Sequence, residues 1–337
     1  MTLKAQRLAG AAAVVLSVLW ASPLPAADDL AARLKKTGFK IVHETFREGN
    51  WELYMTPLDG SAPVNLTRTP QVNELYPKIS PDATKIAFLV DEGEGESTVR
   101  SLYYMNFDGT ARTLVARNAR WPCWSPDGKQ LAYVKQEGER FSYKDPYTKG
   151  LVTYDLASGR RAEHPNPAAE HLYNICWSLD RKWFLATVSG AFGFAHTNLA
   201  VEAGGPRVVD LGLRGCRPDI SADGRKVAWG CSDWTMRTGE LDFSGPAPKV
   251  AGARDVVTSV KPFNIYHMDW SPDGRYVAFS RGPVKKKSLA PHAAIVGIRA
   301  EGWNICVADP SATDSWVQVT TDGLSNKEPD WVPVPKH

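Results

Sequence analysis

Cysteine is scarce in this chain, and none of it is arranged for metal or redox chemistry. Cys123, Cys176, Cys216, Cys231 and Cys306 are the five cysteines, and no two form a C-x-x-C pair. That spacing leaves zinc-ribbon and thioredoxin-like chemistry unsupported. An odd count also leaves at least one thiol unpaired within a monomer, even in an oxidising compartment. Charge of one sign is lacking too. Forty Lys and Arg residues stand against 37 Asp and Glu, a formal net of +3. Without a concentrated basic face, nucleic acid has no electrostatic footprint to follow. No G-x-S-x-G nucleophile elbow is present, and no length of chain is left over for a hydrolase domain. Beyond residue 20 no apolar run is long enough to cross a bilayer.

The apolar run that does exist is short and sits at the N-terminus. Lys4 and Arg7 precede an apolar stretch over 8–20, and Ser22-Pro23-Leu24-Pro25-Ala26-Ala27 supplies small residues for cleavage. This predicts a secretory signal peptide over 1–27, with an uncleaved anchor as the alternative. No cysteine sits at the cleavage region to carry a lipid. Removing Lys4 and Arg7 leaves 38 basic and 37 acidic residues. The expected location is the periplasm or the exterior. Residues 28–37 read as a lead-in, either a short helix or irregular chain. Residues 38–337 are long enough for one all-β domain.

Within that domain one stretch recurs. Trp270-Ser271-Pro272-Asp273-Gly274 reads as a strand end and a type I turn closed by a left-handed glycine, and alternating residues return through Val277 and Phe279. Related stretches begin at Ile79, Trp124, Trp177 and Ile220, and a last partial copy ends at Trp331. The anchors Ile79, Trp124, Trp177, Ile220, Trp270 and Trp331 are spaced 45, 53, 43, 50 and 61 residues apart. A period near ~40–45 residues with four strands per unit is that of a propeller blade. Three strands over 39–66 precede the first anchor, and none follows the last. The expectation is an all-β, six-bladed propeller of four-stranded antiparallel blades. One blade is shared: Trp331 supplies its inner strand and 39–66 the other three, which removes exposed sheet edges.

The motif P-x-[WI]-S-P-D-G, followed by an IAF-like strand and a D-G hairpin, resembles the TolB-type (WD-like) propeller repeat. The resemblance covers nearly the whole predicted mature chain. Leu179 and Arg181 depart from the motif in the third copy and Ala83 in the first. The family's namesake carries an additional N-terminal α/β domain, which the residues before the first strands are too few to supply. The resemblance is therefore to the propeller.

If the inner strands run downward, the S-P-D-G turns and D-G hairpins share the bottom face. The long connections at 91–100, 135–149, 165–173, 252–265 and 281–303 then share the top, where binding usually resides. The expected channel-mouth ligand site comprises Glu74, Tyr76, Trp121, His171, Tyr173, Asn174, Arg217, Tyr266, His267 and Glu328. These mixed aromatic, cationic and acidic groups suit a peptide or a glycan, and inter-blade packing is the plainer reading of each. One residue before the anchors stand Lys78, Cys123, Cys176, Asp219, Asp269 and Asp330. Asp219, Asp269 and Asp330 are weak candidates for holding a structural divalent cation. The competing reading is that they bond backbone N–H groups or Lys78 across the channel. Cys216 and Cys231 flank the Ala222-Asp223-Gly224 turn, so a disulfide forms if the register sets them opposite, and a bulge would part them. The basic run Lys285-Lys286-Lys287 reads as a solvated loop tip.

The favoured function is a non-catalytic module that binds a protein or peptide of the cell envelope through its top face. No cofactor is called for. The alternative is a glycan-acting enzyme, since relatives of the repeat resemble pectate-fragment lyases that hold a metal with several histidines. Convergence of His171, His196, His267 and His292 would favour that enzyme; scatter would favour the binding module.

Overall fold

The computed structural model describes residues 27–93, 97–136, 148–284 and 294–333. Residues 1–26 of the predicted signal peptide, His292 and the Lys285-Lys286-Lys287 run lie outside the described residues.

Each blade grows from its turn. In the fifth blade the Gly274 N–H donates to the Ser271 carbonyl at 2.8 Å, and the Ser271 hydroxyl donates to Asp273 Oδ1 at 2.7 Å. The Arg275 and Tyr276 N–H groups donate to the Asp273 carboxylate and the Ser271 hydroxyl at 3.1 and 2.9 Å. Serine and aspartate thus satisfy the backbone donors of a turn too tight to pair them itself. The same serine-to-aspartate bond, 2.6 Å long, closes the turns at Ser80, Ser125, Ser178 and Ser221. Where glycine is missing, Ala83 and Arg181 still take the left-handed position, with φ of 56° and 62°. Arg181 is braced there by Asp127 at 2.6 Å and Gln130 at 2.8 Å on the neighbouring blade.

Six four-stranded antiparallel sheets result. The first comprises β4 (Asn73–Ile79), β5 (Lys85–Glu92), β6 (Val99–Asn106) and β7 (Thr113–Arg117), and the second β8 (Ala119–Trp124), β9 (Gln130–Gln136), β10 (Thr148–Asp155) and β11 (Arg161–Glu163). The third comprises β12 (Leu172–Trp177), β13 (Trp183–Ala191), β14 (Phe194–Glu202) and β15 (Val208–Leu213). The fourth holds β16 (Cys216–Ile220), β17 (Lys226–Ser232), β18 (Thr235–Asp242) and β19 (Lys249–Thr258). The fifth holds β20 (Phe263–Trp270), β21 (Val277–Pro283), β22 (Asn304–Ala308) and β23 (Trp316–Gln318). The sixth is the shared blade. Its order is β24 (Ser325–Val332), β1 (Lys40–Arg47), β2 (Asn50–Pro57) and β3 (Val64–Asn65), so the two ends of the ring meet in one sheet.

One long connection is shorter than expected. Strand β19 runs on to Thr258, paired with β18, so the region 252–265 is mostly strand. The lead-in is a helix, α1 (Ala27–Lys35). Leu30 and Leu34 bury its apolar face against Phe39, Tyr276, Ile305 and Trp331, beside the join between blades five and six. The anchor tryptophans lock neighbouring blades. The Trp124 indole donates to the Lys78 carbonyl at 2.8 Å, and the Trp331 indole to the Asp269 carbonyl at 3.0 Å.

Candidate functional site

Three residues before each anchor, the inner strand bulges. Tyr76, Trp121, Asn174, Arg217, His267 and Glu328 all take left-handed backbone, with φ between 48° and 61°. The strand registers shift there, as between Leu75 and Lys78 or between Tyr266 and Asp269. A non-glycine residue in this region costs about 1–3 kcal/mol, so six at one repeat position mark a built feature. Proline follows in four of them, Pro77, Pro122, Pro218 and Pro329. A bulge tolerates proline because it already lacks the ladder hydrogen bond that proline cannot donate.

Five of these bulge residues, Trp121 excepted, line a channel of about 220 Å³ together with the residues one before the anchors. Their polar groups are spent largely on one another. His267 Nε2 lies 2.8 Å from Glu328 Oε1 and 2.8 Å from the Ala294 carbonyl. Both are acceptors, so Nε2 carries the proton. Burial pushes the His267 pKa down to about 4, leaving the ring neutral near neutral pH. Burial pushes the Glu328 carboxyl up, but His267, Arg217 and Lys327 outweigh it and hold it below its ordinary range. Arg217 Nη1 approaches Glu328 Oε1 at 3.4 Å, and its guanidinium lies over the Tyr266 ring at 5.2 Å. Across the axis, Asn174 Nδ2 donates to the Tyr76 hydroxyl at 3.1 Å.

The mouth above this ring is covered, contrary to the open site expected from sequence. Residues 294–300 of the connection after β21 turn inward. Ala294 and Val296 are fully buried, and Val296 belongs to the same buried apolar cluster as Leu75, Tyr76 and Trp121. Arg100 donates to the Val296 carbonyl at 3.4 Å, and Lys327 to the Ile295 and Ile298 carbonyls at 2.7 and 2.9 Å. Trp121 is consequently only 7% exposed, and Tyr76, Asn174, His267 and Glu328 are buried beside it. These are packing residues of the channel. The sequence does carry a short apolar run there, Ala293-Ala294-Ile295-Val296, inside a loop where solvent contact would not favour it. Glu74 also leaves the mouth. It is buried against Arg112 at 2.7 Å and accepts from the Thr69 hydroxyl, and burial pushes its pKa up to about 7. The remaining expected residues form a half-exposed rim. There the Tyr173 hydroxyl meets His196 Nε2 at 2.5 Å, the Tyr266 hydroxyl donates to Asp233, and His171 lies beside Gly190.

At the lower end of the channel the aspartates hold protein groups. Lys78 Nζ donates to Asp269 Oδ2 at 2.8 Å and to Asp330 Oδ1 at 2.6 Å. Asp330 Oδ2 accepts the Ile79 N–H at 2.6 Å, and Asp219 Oδ2 the Trp270 N–H at 2.8 Å. The cation these carboxylates face is the lysine ammonium. Among the described residues no three His, Cys, Asp or Glu side chains group to hold a metal ion. Burial, then the neighbouring Asp269, pushes the Asp219 pKa up to about 8. The Cys216–Cys231 bridge does not form either, and all five thiols are free. Cys216 faces Gly230, one residue short of Cys231, and a one-residue offset turns side chains to opposite faces.

A second concavity opens on the opposite end from the expected site. A funnel of about 840 Å³ runs from Asp219, Asp269 and Asp330 outward past the anchors Trp124, Trp177, Trp270 and Trp331 to the turns. Its rim carries Pro81, Pro126, Leu179, Ala222, Pro272 and Pro333, and Leu179 is 53% exposed. The sequence does not point to it, because the long connections that usually carry binding lie at the other end.

No family model matches the chain. The Tol-Pal system protein TolB of Actinobacillus succinogenes is 33% identical over 78 residues, 23% of this chain and 16% of that protein. The Mannheimia succiniciproducens protein of the same name is 36% identical over 81 residues, 23% of this chain and 17% of its own length. The matched segment therefore spans about a sixth of these curated relatives. Among solved structures, a chain of a nidogen/laminin complex superposes with a TM-score of 0.58 at 9% identity, over 88% of this chain and 99% of that one, a likeness of fold alone. A putative TolB from Agrobacterium tumefaciens gives a TM-score of 0.44 at 18% identity, over 64% of this chain and 81% of its own. With its recurring S-P-D-G-like turns and six four-stranded blades, this chain is a six-bladed β-propeller whose repeat is similar to that of TolB.

Proposed function

We propose that the chain is a non-catalytic module of the cell envelope that binds a protein or peptide partner, and that the partner docks in the funnel on the S-P-D-G face. The observation that carries this is the funnel itself: about 840 Å³, an apolar rim with Leu179 exposed, and carboxylates at its floor. An apolar collar with Leu179 exposed suits an apolar segment of a partner, since the aspartates at the floor are already engaged by Lys78 and backbone N–H groups. The Tol-Pal name of the curated relatives supports an envelope partner and the periplasmic location that the N-terminal segment predicts. The glycan-lyase reading loses its main support. His267 is committed to Glu328 and Ala294, while His171 and His196 sit apart from it on the half-exposed rim.

The test is a cross-linked pull-down from envelope extract with wild type, Leu179→Asp and Tyr173→Ala. Leu179→Asp places a charge on the rim without touching the core and should deplete the captured partner about tenfold or more. Tyr173→Ala, on the opposite face, should leave capture unchanged. The reverse pattern would move the site to the upper rim. Equal capture by all three variants would refute both placements.

A further inference from the structure

We propose that a cleft between blades four and five, closed on one side by helix α1, binds a compact multivalent oxyanion, a phosphate or sulfate ester. The cleft has a volume of about 650 Å³ and adjoins the funnel at Trp270. That volume lies in the range of small-molecule sites. Arg33, Lys36, Lys226, Arg254 and Arg275 line it, brought together from the lead-in segment, β17, β19 and the Asp273–Gly274 turn.

The acidic residues there do not cancel this set. Asp309 is bound by Arg33 at 2.8 Å and by the Ser311 hydroxyl at 2.5 Å, and Glu240 stands opposite Lys226 in the β17–β18 register. Arg275 is held by Asp273 at 2.5 Å. Lys36 and Arg254 are exposed and enter no ion pair among the described residues. The chain as a whole is close to charge balance, so this local surplus is not a general basic surface.

A second observation comes from the repeat. The indoles of Trp124 and Trp331 each donate to a carbonyl of the preceding blade, and that of Trp177 to the Arg181 carbonyl at 3.3 Å. Trp270 occupies the same position and lies between the cleft and the funnel, lining both, yet its buried Nε1–H has no acceptor. A buried donor without a partner is costly, and a ligand oxygen would satisfy it. Guanidinium, ammonium and indole groups together are all donors and no acceptors, the complement of a phosphate or sulfate group.

The test is calorimetric titration of the full chain, at low salt, with inorganic pyrophosphate and separately with a sulfated disaccharide. At least one should bind saturably at one site, and more weakly as salt is raised. Binding of pyrophosphate alone assigns the phosphate class, and binding of both assigns the wider oxyanion class. The exposed double variant Lys36→Ala/Arg254→Ala should melt as wild type and bind about tenfold or more weakly. Trp270→Phe, which keeps the ring and removes the N–H, should weaken binding as well. Absence of saturable binding by either anion would overturn the proposal, and so would undiminished binding by the double variant. If Trp270→Phe fails to fold, the double variant alone decides.

Discussion

Asp219 shows how a single carboxyl can set the pH response of the ring. Its pKa is raised from an ordinary 3.8 to about 8, because burial and Asp269 disfavour its charge. The folded chain then keeps a proton that the unfolded chain releases. The associated stability is fully present below the unfolded pKa and is lost as pH rises through about 8. Asp219→Asn retains an acceptor for the Trp270 N–H but has nothing to ionise. Its melting temperature should match wild type near pH 4 and exceed it at pH 9. Equal melting temperatures at both values would contradict the buried, protonated carboxyl. Lys78 is the opposite case. Burial lowers its pKa, but Asp269 and Asp330 outweigh burial and hold the ammonium charged. Lys78→Met would leave two buried carboxylates facing one another and should destabilise the fold by about 3 kcal/mol, measurable by denaturant titration. At Ala83 the left-handed backbone is paid by an ordinary side chain. Ala83→Gly should therefore stabilise by about 1 kcal/mol in the same assay.

Among the elements, the inner strands divide into a legible half and a hidden half. The anchors and turns were legible because serine, aspartate and glycine are demanded by turn chemistry, and Ile79, Trp124 and Trp270 recur at blade spacing. The bulge three residues earlier was not. Tyr76, Trp121, Asn174, Arg217, His267 and Glu328 share no side-chain type, and the following proline is missing after Asn174 and His267. The residues expected at the mouth include all six bulge positions, but Tyr76, Trp121, Asn174, His267 and Glu328 are buried. The covering segment over 294–300 belongs to no repeat, so no periodicity announced it. The consequence is a measurable contrast. Trp121→Ala opens a buried site and should cost about 3–5 kcal/mol. Tyr173→Ala, on the half-exposed rim, should cost about 1 kcal/mol or less. Paired thermal melts check this, and similar costs at the two positions would show that the covering segment does not bury Trp121.

For the whole molecule, the governing feature is that both ends of the ring meet in one blade. Strand β24 pairs with β1 from Ser325↔Phe46 to Val332↔Lys40. It also delivers Asp330 to Lys78 and to the Ile79 N–H, and places the Trp331 indole on Asp269. One strand thus joins the sixth blade to the first and the fifth. The shared blade was legible from three strands with no inner partner and one inner strand with no followers. The cross-link from Asp330 to Lys78, 252 residues away, was one of two readings left open by the sequence, because each stands one residue before an anchor. If the ring is closed this way, every blade depends on β24. The most direct measurement is a thermal melt of the chain ended after Leu324, beside the full chain. The closed-ring account predicts one cooperative transition for the full chain and none for the shortened one. A shortened chain that melts cooperatively within a few degrees of the full chain would contradict it.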